Sequence, residues 1–310
     1  MRNVFLFPGQ GAQFVGMGKE LYDTNPIAKE LFNKANEIVG YDIAKICFSG
    51  PDTELNKTNV CQPAILVMSI VSLNTWADPS ERRPDDIPAG FVRADKPADL
   101  YASAGLSLGE YTALVSTGAL SFEDAVHLVE RRGTFMQECC DKYPSGMVSV
   151  LGMELTKVKE ILTQVHGVIG VANLNSPGQI VISGDNKALE EASALLKTAG
   201  AKRTIPLKVA GAFHSPLMKE AEDKLKQELA KVKINLPIIP VVSNVTADYV
   251  RTPDEIKDCL GRQVTSPVLW EDSMKRLIKD GVKDFYEIGP GSVLTSLLQK
   301  IDSSVVCKKV

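Results

Sequence analysis

Short apolar runs alternate with amphipathic stretches along most of the chain. Val4 to Phe7 is a continuous apolar run of the kind found in strands buried on both faces. Thr58 to Leu73 is typical of a buried helix, and Tyr101 to Gly105 is typical of a strand that ends in a glycine turn. This alternation predicts a parallel sheet that is covered by helices on both faces.

A second pattern occupies the middle of the chain. Strand-like and helical segments follow in the order β-α-β-β-α-β, over 147–153, 156–165, 168–174, 179–184, 187–199 and 202–207. That order is typical of a small ferredoxin-like module. We therefore predict an α/β fold in which a large domain with a parallel sheet, residues 1–143 and 209–310, carries a small ferredoxin-like subdomain inserted at 144–208.

Residues 77–99 fit neither pattern, because this segment is rich in proline and charge and poor in apolar periodicity. We expect an exposed surface insertion there, and contact with a partner is the alternative.

Composition and charge exclude several classes of protein. The chain has 44% hydrophobic and 24% charged residues, which is typical of a globular protein, and its net charge of −3 gives no general attraction to nucleic acid or membranes. The apolar run near the N-terminus is too short for a signal peptide or a membrane span, so we expect a cytoplasmic protein. The six cysteines lack metal-ligand spacing, which favours free thiols and no metal site.

The segment Gly105-Leu-Ser107-Leu-Gly109 matches G-x-S-x-G between a predicted strand and a predicted helix. A sharp turn there would expose the Ser107 hydroxyl, as in α/β-hydrolase-like enzymes, and the Leu108 N–H could face an acyl oxygen. Gly9-Gln10-Gly11 follows the first strand, and its glycines would let the Gln10 N–H approach the same oxygen. An ordinary glycine-rich turn is the alternative at both places.

An arginine lies on the apolar face of the helix that Ser121 is expected to cap. The apolar stripe of that helix consists of Ala125, Leu128, Val129, Phe135 and Met136, and Arg132 falls within it. An arginine directed at the core needs an anion or several acceptors. A substrate carboxylate is one possibility. The alternatives are a structural ion pair with an acid from another segment, or an arginine whose stem covers the core while its guanidinium reaches the surface.

Of the three histidines, His214 has the most informative position. Ser215 and Pro216 after it suit a helix start, and a helix N-terminus disfavours the cationic imidazole, so His214 could act as a general base. His127 is predicted on a polar helix face, and His166 is predicted to cap the end of a helix.

Taken together, the motifs resemble those of malonyl-CoA:acyl carrier protein transacylases and of the acyltransferase domains of polyketide and fatty acid synthases. The similarity covers nearly the whole chain in the family's order, and includes FPGQGAQ at 7–13, QPA at 62–64, GLSLGEYTALV at 105–115, DAVHLVERRGTFMQE at 124–138, GAFHSPLM at 211–218 and PVVSNV at 240–245.

The resemblance implies a role for each candidate residue. It makes Ser107 the nucleophile, His214 the general base and acid, and the N–H groups of Gln10 and Leu108 the oxyanion hole. Arg132 would bind the malonyl carboxylate, Phe213 would favour malonyl over branched acyl groups, and the main-chain carbonyl of Gln263 would orient the histidine. The implied substrates are malonyl-CoA and acyl carrier protein, with no cofactor, and a monomer is the default expectation.

One departure and two alternative functions remain open. The family often has histidine before the nucleophile, where this chain has Leu106. An α/β-hydrolase esterase would share the serine turn but would order its triad as Ser, acid, His. A non-catalytic domain that docks carrier proteins is the second alternative.

Overall fold

The computed structural model describes residues 2–76 and 100–310, and the whole of the predicted segment 77–99 therefore lies outside the described residues. Within those ranges the strands form two sheets. The first has six strands in the order β10-β9-β1-β2-β7-β8, and all neighbours are parallel except β7 and β8. These strands are β1 Asn3–Phe7, β2 Leu100–Gly105, β7 Val241–Val242, β8 Tyr249–Val250, β9 Asp284–Glu287 and β10 Val306–Lys309.

The central strand β1 shows why the sheet is covered on both sides. Its side chains alternate between faces, and all four residues from Val4 to Phe7 are fully buried. Phe5 and Phe7 belong to a hydrophobic cluster with α2, α5, α6 and α7, whereas Val4 and Leu6 pack with α12 and α13. The predicted parallel sheet between two helical layers is confirmed.

The helices of the larger layer system are α1 Lys19–Thr24, α2 Pro26–Val39, α3 Ile43–Ser49, α4 Asp52–Leu55, α5 Thr58–Trp76, α6 Gly109–Ser116, α7 Phe122–Lys142, α10 Lys219–Lys231, α11 Pro253–Gln263, α12 Trp270–Lys279 and α13 Val293–Ile301. Local chemistry sets several of their starts. Ser121 caps α7 by accepting from the Asp124 N–H, as the sequence predicts, and Thr252 caps α11 in the same way through Glu255.

The second sheet is antiparallel and has the ferredoxin-like order β4-β5-β3-β6. Its elements are β3 Ser145–Leu151, α8 Leu155–Leu162, β4 Ile169–Ser176, β5 Gln179–Asp185, α9 Asn186–Thr198 and β6 Arg203–Pro206. A separate hydrophobic cluster fills the space between this sheet and α8 and α9. The β4 strand also contacts the larger part, because Val268 exchanges main-chain hydrogen bonds with Ala172 and Leu174.

One predicted detail in this unit is wrong. The helix α8 ends at Leu162, three residues before the predicted end, because the chain continues in tighter i to i+3 hydrogen bonds at Gln164 and Val165. His166 therefore lies beyond the helix and does not cap it. Its side chain is 94% exposed and faces Glu191.

Two further observations concern the cysteines and the apolarity of the helices. All six cysteines are free thiols, as the sequence predicts. No helix within 2–76 or 100–310 combines the length and apolarity that a membrane crossing requires.

Candidate active site

The candidate site lies where three neighbouring parallel strands end. Gln10 follows β1, Ser107 follows β2, and Asn244 follows β7, and these strands lie side by side in the order β1-β2-β7. The carboxyl ends of parallel strands meet at one edge of the sheet, where α/β proteins commonly bind ligands. His214 and Arg132 reach the same edge from segments outside the sheet.

The turn at Ser107 is strained and depends on close backbone contacts. Ser107 has a φ of 51°, which places a non-glycine residue in the left-handed region. A Cβ at Gly105 would lie 1.9 Å from the backbone of Gly109, and a Cβ at Gly109 would lie 2.2 Å from the carbonyl oxygen of Phe7. Both positions therefore require glycine, and the predicted sharp strand-to-helix turn is present.

The hydroxyl of Ser107 and the imidazole of His214 are within hydrogen-bond distance. Ser107 Oγ lies 3.0 Å from His214 Nε2, and His214 Nδ1 lies 2.8 Å from the main-chain oxygen of Gln263. A carbonyl only accepts, so Nδ1 carries the proton and Nε2 is free to accept one from Ser107. The esterase alternative expects an acid at Nδ1, and a main-chain carbonyl occupies that position.

His214 is neutral, although the physical cause differs from the one that the sequence suggested. Burial, together with the nearby Arg132 charge, lowers the pKa of His214 to about 4, against the opposing effect of the Gln263 carbonyl. Ser215 caps only a short 3-10 turn, Pro216–Met218, before α10 begins. Desolvation and the neighbouring Arg132 cation, and not a helix N-terminus, therefore keep His214 neutral.

The two predicted oxyanion donors lie on segments that touch each other. The Leu106 N–H donates to the Phe7 carbonyl, and a Cβ at Gly9 would lie 2.5 Å from the Leu106 carbonyl oxygen. Within the described part of the chain, neither the Gln10 N–H nor the Leu108 N–H donates to an acceptor. Both are therefore available to a ligand oxygen, as an oxyanion hole requires.

Arg132 is buried beside the nucleophile, with only 1% of its surface exposed. Its guanidinium donates to Gln62 Oε1 at 2.5 Å, to Ser107 Oγ at 3.0 Å and to Gln263 Oε1 at 3.0 Å. Among residues 2–76 and 100–310, no carboxylate forms an ion pair with it, and its Nε has no acceptor. Neutral oxygens therefore hold the guanidinium, and the structural ion pair of the sequence-based alternative is absent from this part of the chain.

Phe213 and Leu106 flank the two reactive residues. Phe213 directly precedes His214, is 6% exposed and belongs to the large hydrophobic cluster. Leu106 directly precedes Ser107, is half-buried and packs against the cluster on the other face of the sheet. An apolar side chain thus stands where the family often has a histidine. His127, the remaining histidine, lies half-exposed on α7 and faces Glu228.

Three buried polar residues at the site were missed by the sequence analysis: Gln62, Glu110 and Asn244. Glu110 is the only charged residue of α6, and Gln62 is a long polar side chain among the mostly apolar buried residues of α5. A polar residue in a largely apolar stretch is also the signal that identified Arg132. Asn244 comes two residues after β7, at the end of a strand beside β2. The sequence shows these positions as polar residues in stretches that are expected to be buried. It does not show which residues they contact.

Comparison with known proteins identifies the family of this chain. The family model for the acyl transferase domain matches residues 4–306. The malonyl CoA-acyl carrier protein transacylase of Bacillus subtilis is 46% identical over 301 residues, which cover 96% of this chain and 90% of the relative. The protein of the same name from Escherichia coli K12 is 41% identical over 299 residues, with 96% and 92% coverage.

Solved structures give the same result. The crystal structure of malonyl CoA-acyl carrier protein transacylase from Clostridium perfringens has a TM-score of 0.89 and 40% identity, and the match covers 100% of this chain and 93% of that one. On these grounds, the chain belongs to the acyl transferase family that includes the malonyl CoA-acyl carrier protein transacylases.

Proposed function

We propose that this enzyme transfers a malonyl group from malonyl-CoA to the phosphopantetheine thiol of acyl carrier protein, through a malonyl ester on Ser107. One observation carries the proposal: Ser107 Oγ lies 3.0 Å from both His214 Nε2 and Arg132 Nη2. A nucleophile, a neutral base and a carboxylate-binding cation thus converge on one point. The names of the related transacylases support the same substrates.

The first half-reaction forms the ester. His214 Nε2 takes the Ser107 proton while the serine oxygen attacks the thioester carbonyl of malonyl-CoA. The N–H groups of Gln10 and Leu108 stabilise the oxyanion, and loss of one such donor typically costs about 10²–10³ in rate. The C–S bond then breaks, and His214 returns the proton to the coenzyme A thiolate.

The second half-reaction reverses this chemistry with a new thiol. The phosphopantetheine thiol of the carrier protein gives its proton to His214 and attacks the ester carbonyl. Ser107 leaves and regains the proton, so each cycle restores the free enzyme in a ping-pong sequence. The product supplies extender units for fatty acid or polyketide synthesis.

Selectivity has two sources in this proposal. Arg132 binds the malonyl carboxylate, because a guanidinium suits two-pronged pairing with a carboxylate and its unpaired Nε can add a donor. Phe213 leaves little room for a methyl branch. The proposal includes no cofactor and no metal, a monomeric cytoplasmic protein, and the division into a catalytic part, 1–143 and 209–310, and a small subdomain, 144–208.

Mass spectrometry of the protein after incubation with malonyl-CoA alone tests the covalent step. We expect one malonyl adduct on the peptide that contains Ser107, none in Ser107→Ala, and less in Arg132→Ala. Addition of acyl carrier protein should move the group to the carrier thiol. Predominant release of free malonate in the presence of the carrier would favour a hydrolase, and absence of any adduct would favour a docking domain.

A further inference from the structure

A second group of buried polar side chains lies directly behind the reactive residues. Glu110, Asn244 and Gln263 are 2%, 1% and 0% exposed. The Oε2 atom of Glu110 accepts from Gln263 Nε2 at 2.7 Å and from the Asn244 main-chain N–H at 3.0 Å. These contacts link a carboxylate on α6 to the two segments that hold the nucleophile and the histidine.

Gln263 bonds to all three groups of the proposed mechanism. Its main-chain oxygen accepts from His214, its Nε2 donates to the Ser107 main-chain oxygen at 3.0 Å, and its Oε1 accepts from Arg132 at 3.0 Å. A carboxylate only accepts and a guanidinium only donates. Glu110 and Arg132 therefore force one orientation on the Gln263 amide, with its NH₂ group toward Glu110 and its oxygen toward Arg132.

Asn244 fixes the strained serine turn from both sides. Its Oδ1 accepts from the Ser107 N–H at 2.5 Å, and its Nδ2 donates to the Gly105 carbonyl at 2.7 Å. The loop that carries Asn244 is itself strained, since Ala247 has a φ of 53°. The bond from the Asn244 N–H to Glu110 anchors this loop to the helix that begins immediately after the serine turn.

Charge gives Glu110 a second effect on the site. Glu110 and Arg132 do not touch, because the Gln263 amide lies between them. The carboxylate nevertheless opposes the effect of burial on the pKa of Arg132. The guanidinium is thus partly compensated at a distance and keeps its own donors for a ligand.

We propose that Glu110 is a positioning residue for the transfer reaction: its carboxylate, acting through the Gln263 amide and the Asn244 main chain, fixes the placement of Ser107, His214 and Arg132 relative to one another. This inference rests on the proposed function. It assigns to Glu110 no contact with the substrate.

A pH profile can detect the role, because Glu110 is the group that changes charge near neutrality. Burial raises the pKa of Glu110 to about 7, against the lowering effects of its hydrogen bonds and of Arg132. The other ionisable groups around it are Arg132, Tyr111 and Cys259. Burial raises the pKa of both Tyr111 and Cys259, and an arginine keeps its proton in a protein, so none of the three titrates near pH 7.

The test is single-turnover acylation of Ser107 by malonyl-CoA in Glu110→Gln, followed by rapid quench and intact mass between about pH 5 and pH 9. We expect a saturating rate at least on the order of tenfold lower at high pH, because neutral hydrogen bonds hold the set less firmly. The half-saturating malonyl-CoA concentration should not rise. In the variant the Glu110 charge no longer partly compensates the Arg132 guanidinium, so Arg132 attracts the malonyl carboxylate at least as strongly. The wild-type rate should fall as pH drops through 7 and converge with the variant's nearly flat profile.

The control is Glu287→Gln, which replaces another fully buried carboxylate. Glu287 caps α13 through the N–H groups of Leu294 and Thr295 and does not bond to the site. We expect this variant to unfold at a lower temperature but to keep the wild-type pH profile. A general effect of losing a buried carboxylate is thereby separated from positioning.

Gln263→Ala provides an independent measurement if Glu110→Gln does not fold. This change deletes the bridging amide but keeps the main-chain carbonyl that holds His214. We expect the same slow acylation and flat profile. Wild-type rates and pH dependence in either folded variant would overturn the inference, as would a rate loss caused only by weaker malonyl-CoA binding. If the wild-type protein itself forms no malonyl ester, the proposed function fails instead.

Discussion

The antiparallel unit over 145–206 and the carboxyl edge of the parallel sheet differ in where their charged side chains lie. Between 145 and 206, no charged residue or histidine is fully buried, and apolar residues such as Ile182 form the core. At the edge of the parallel sheet, Arg132, Glu110 and His214 are all buried within one hydrogen-bonded set. The first region keeps its charged groups at the surface, and the second collects them inside.

The two regions differ in backbone strain as well. Residues 145–206 contain no non-glycine residue with positive φ, whereas Ser107 and His214 both have it. Strain and buried charge each cost free energy, and they persist only where surrounding contacts hold them in place. Their coincidence at one sheet edge marks the place where the fold departs from its most stable arrangement, which is the expected signature of a functional site.

Removing the base should have the largest effect. His214→Ala is expected to lower the rate of Ser107 acylation by malonyl-CoA on the order of 10²–10⁴-fold, because general base catalysis is lost. His166→Ala, in the antiparallel unit, is the matched control, since that side chain is 94% exposed. Rapid-quench mass spectrometry checks both. Equal acylation rates in the two variants would contradict the role of His214.

Loss of the buried cation should have a smaller and more selective effect. Arg132→Ala is expected to slow acylation by malonyl-CoA about 10- to 100-fold, because charged hydrogen bonds contribute roughly 1.5–3 kcal/mol each. Arg131→Ala is the control, since Arg131 lies half-exposed over the ring of Phe135 on the same helix. Acylation by acetyl-CoA, which has no free carboxylate, shows whether the effect depends on that group. An equal loss of acylation rate with both substrates would mean that Arg132 only supports the fold.

Phe213→Ser should relax the preference for malonyl over methylmalonyl groups. The change in the ratio of the two acylation rates should be about tenfold, in keeping with the value of one methyl group in a pocket. Because Phe213 belongs to the core, the variant should also unfold at a lower temperature. Phe32→Ser, in the same cluster, controls for that loss, and an unchanged ratio in Phe213→Ser would remove its assigned role.

The sequence was sufficient for the elements whose signals are local. The apolar run of β1, the cap at Ser121 and the order of the antiparallel unit were predicted correctly because each depends on neighbouring residues. The same holds for the turn at Ser107, whose flanking glycines are part of the motif. Arg132 could be identified as an anomaly because it interrupts the apolar face of a single helix.

The supporting residues depend on contacts that a single sequence does not reveal. Glu110 bonds to partners 134 and 153 positions away, and no local pattern specifies which distant amide it meets. The neutrality of His214 was predicted for the wrong reason. The sequence suggested a helix N-terminus as the cause, whereas burial and the Arg132 charge lower the pKa of His214. Long-range packing therefore decides both the second layer of the site and its electrostatics.

The last prediction concerns stability in acid and the protonation of His214. The folded protein holds His214 with a pKa of about 4, against 6.5 in the unfolded chain. Between these values the unfolded chain binds a proton that the folded state does not, so stability falls as pH decreases from 6.5 toward 4. The contribution is roughly 3 kcal/mol at the acid end of that window.

Urea unfolding of the wild type and of His214→Gln across this pH window isolates the effect. Glu110 acts with the opposite sign, because its raised pKa makes the folded state the better proton binder between 4.5 and about 7. The wild-type slope is therefore a sum, and the difference between the two proteins is the informative quantity. It should shrink as pH falls. A constant difference would mean that folding leaves the pKa of His214 at its ordinary value, and would contradict the lowered pKa of the buried imidazole.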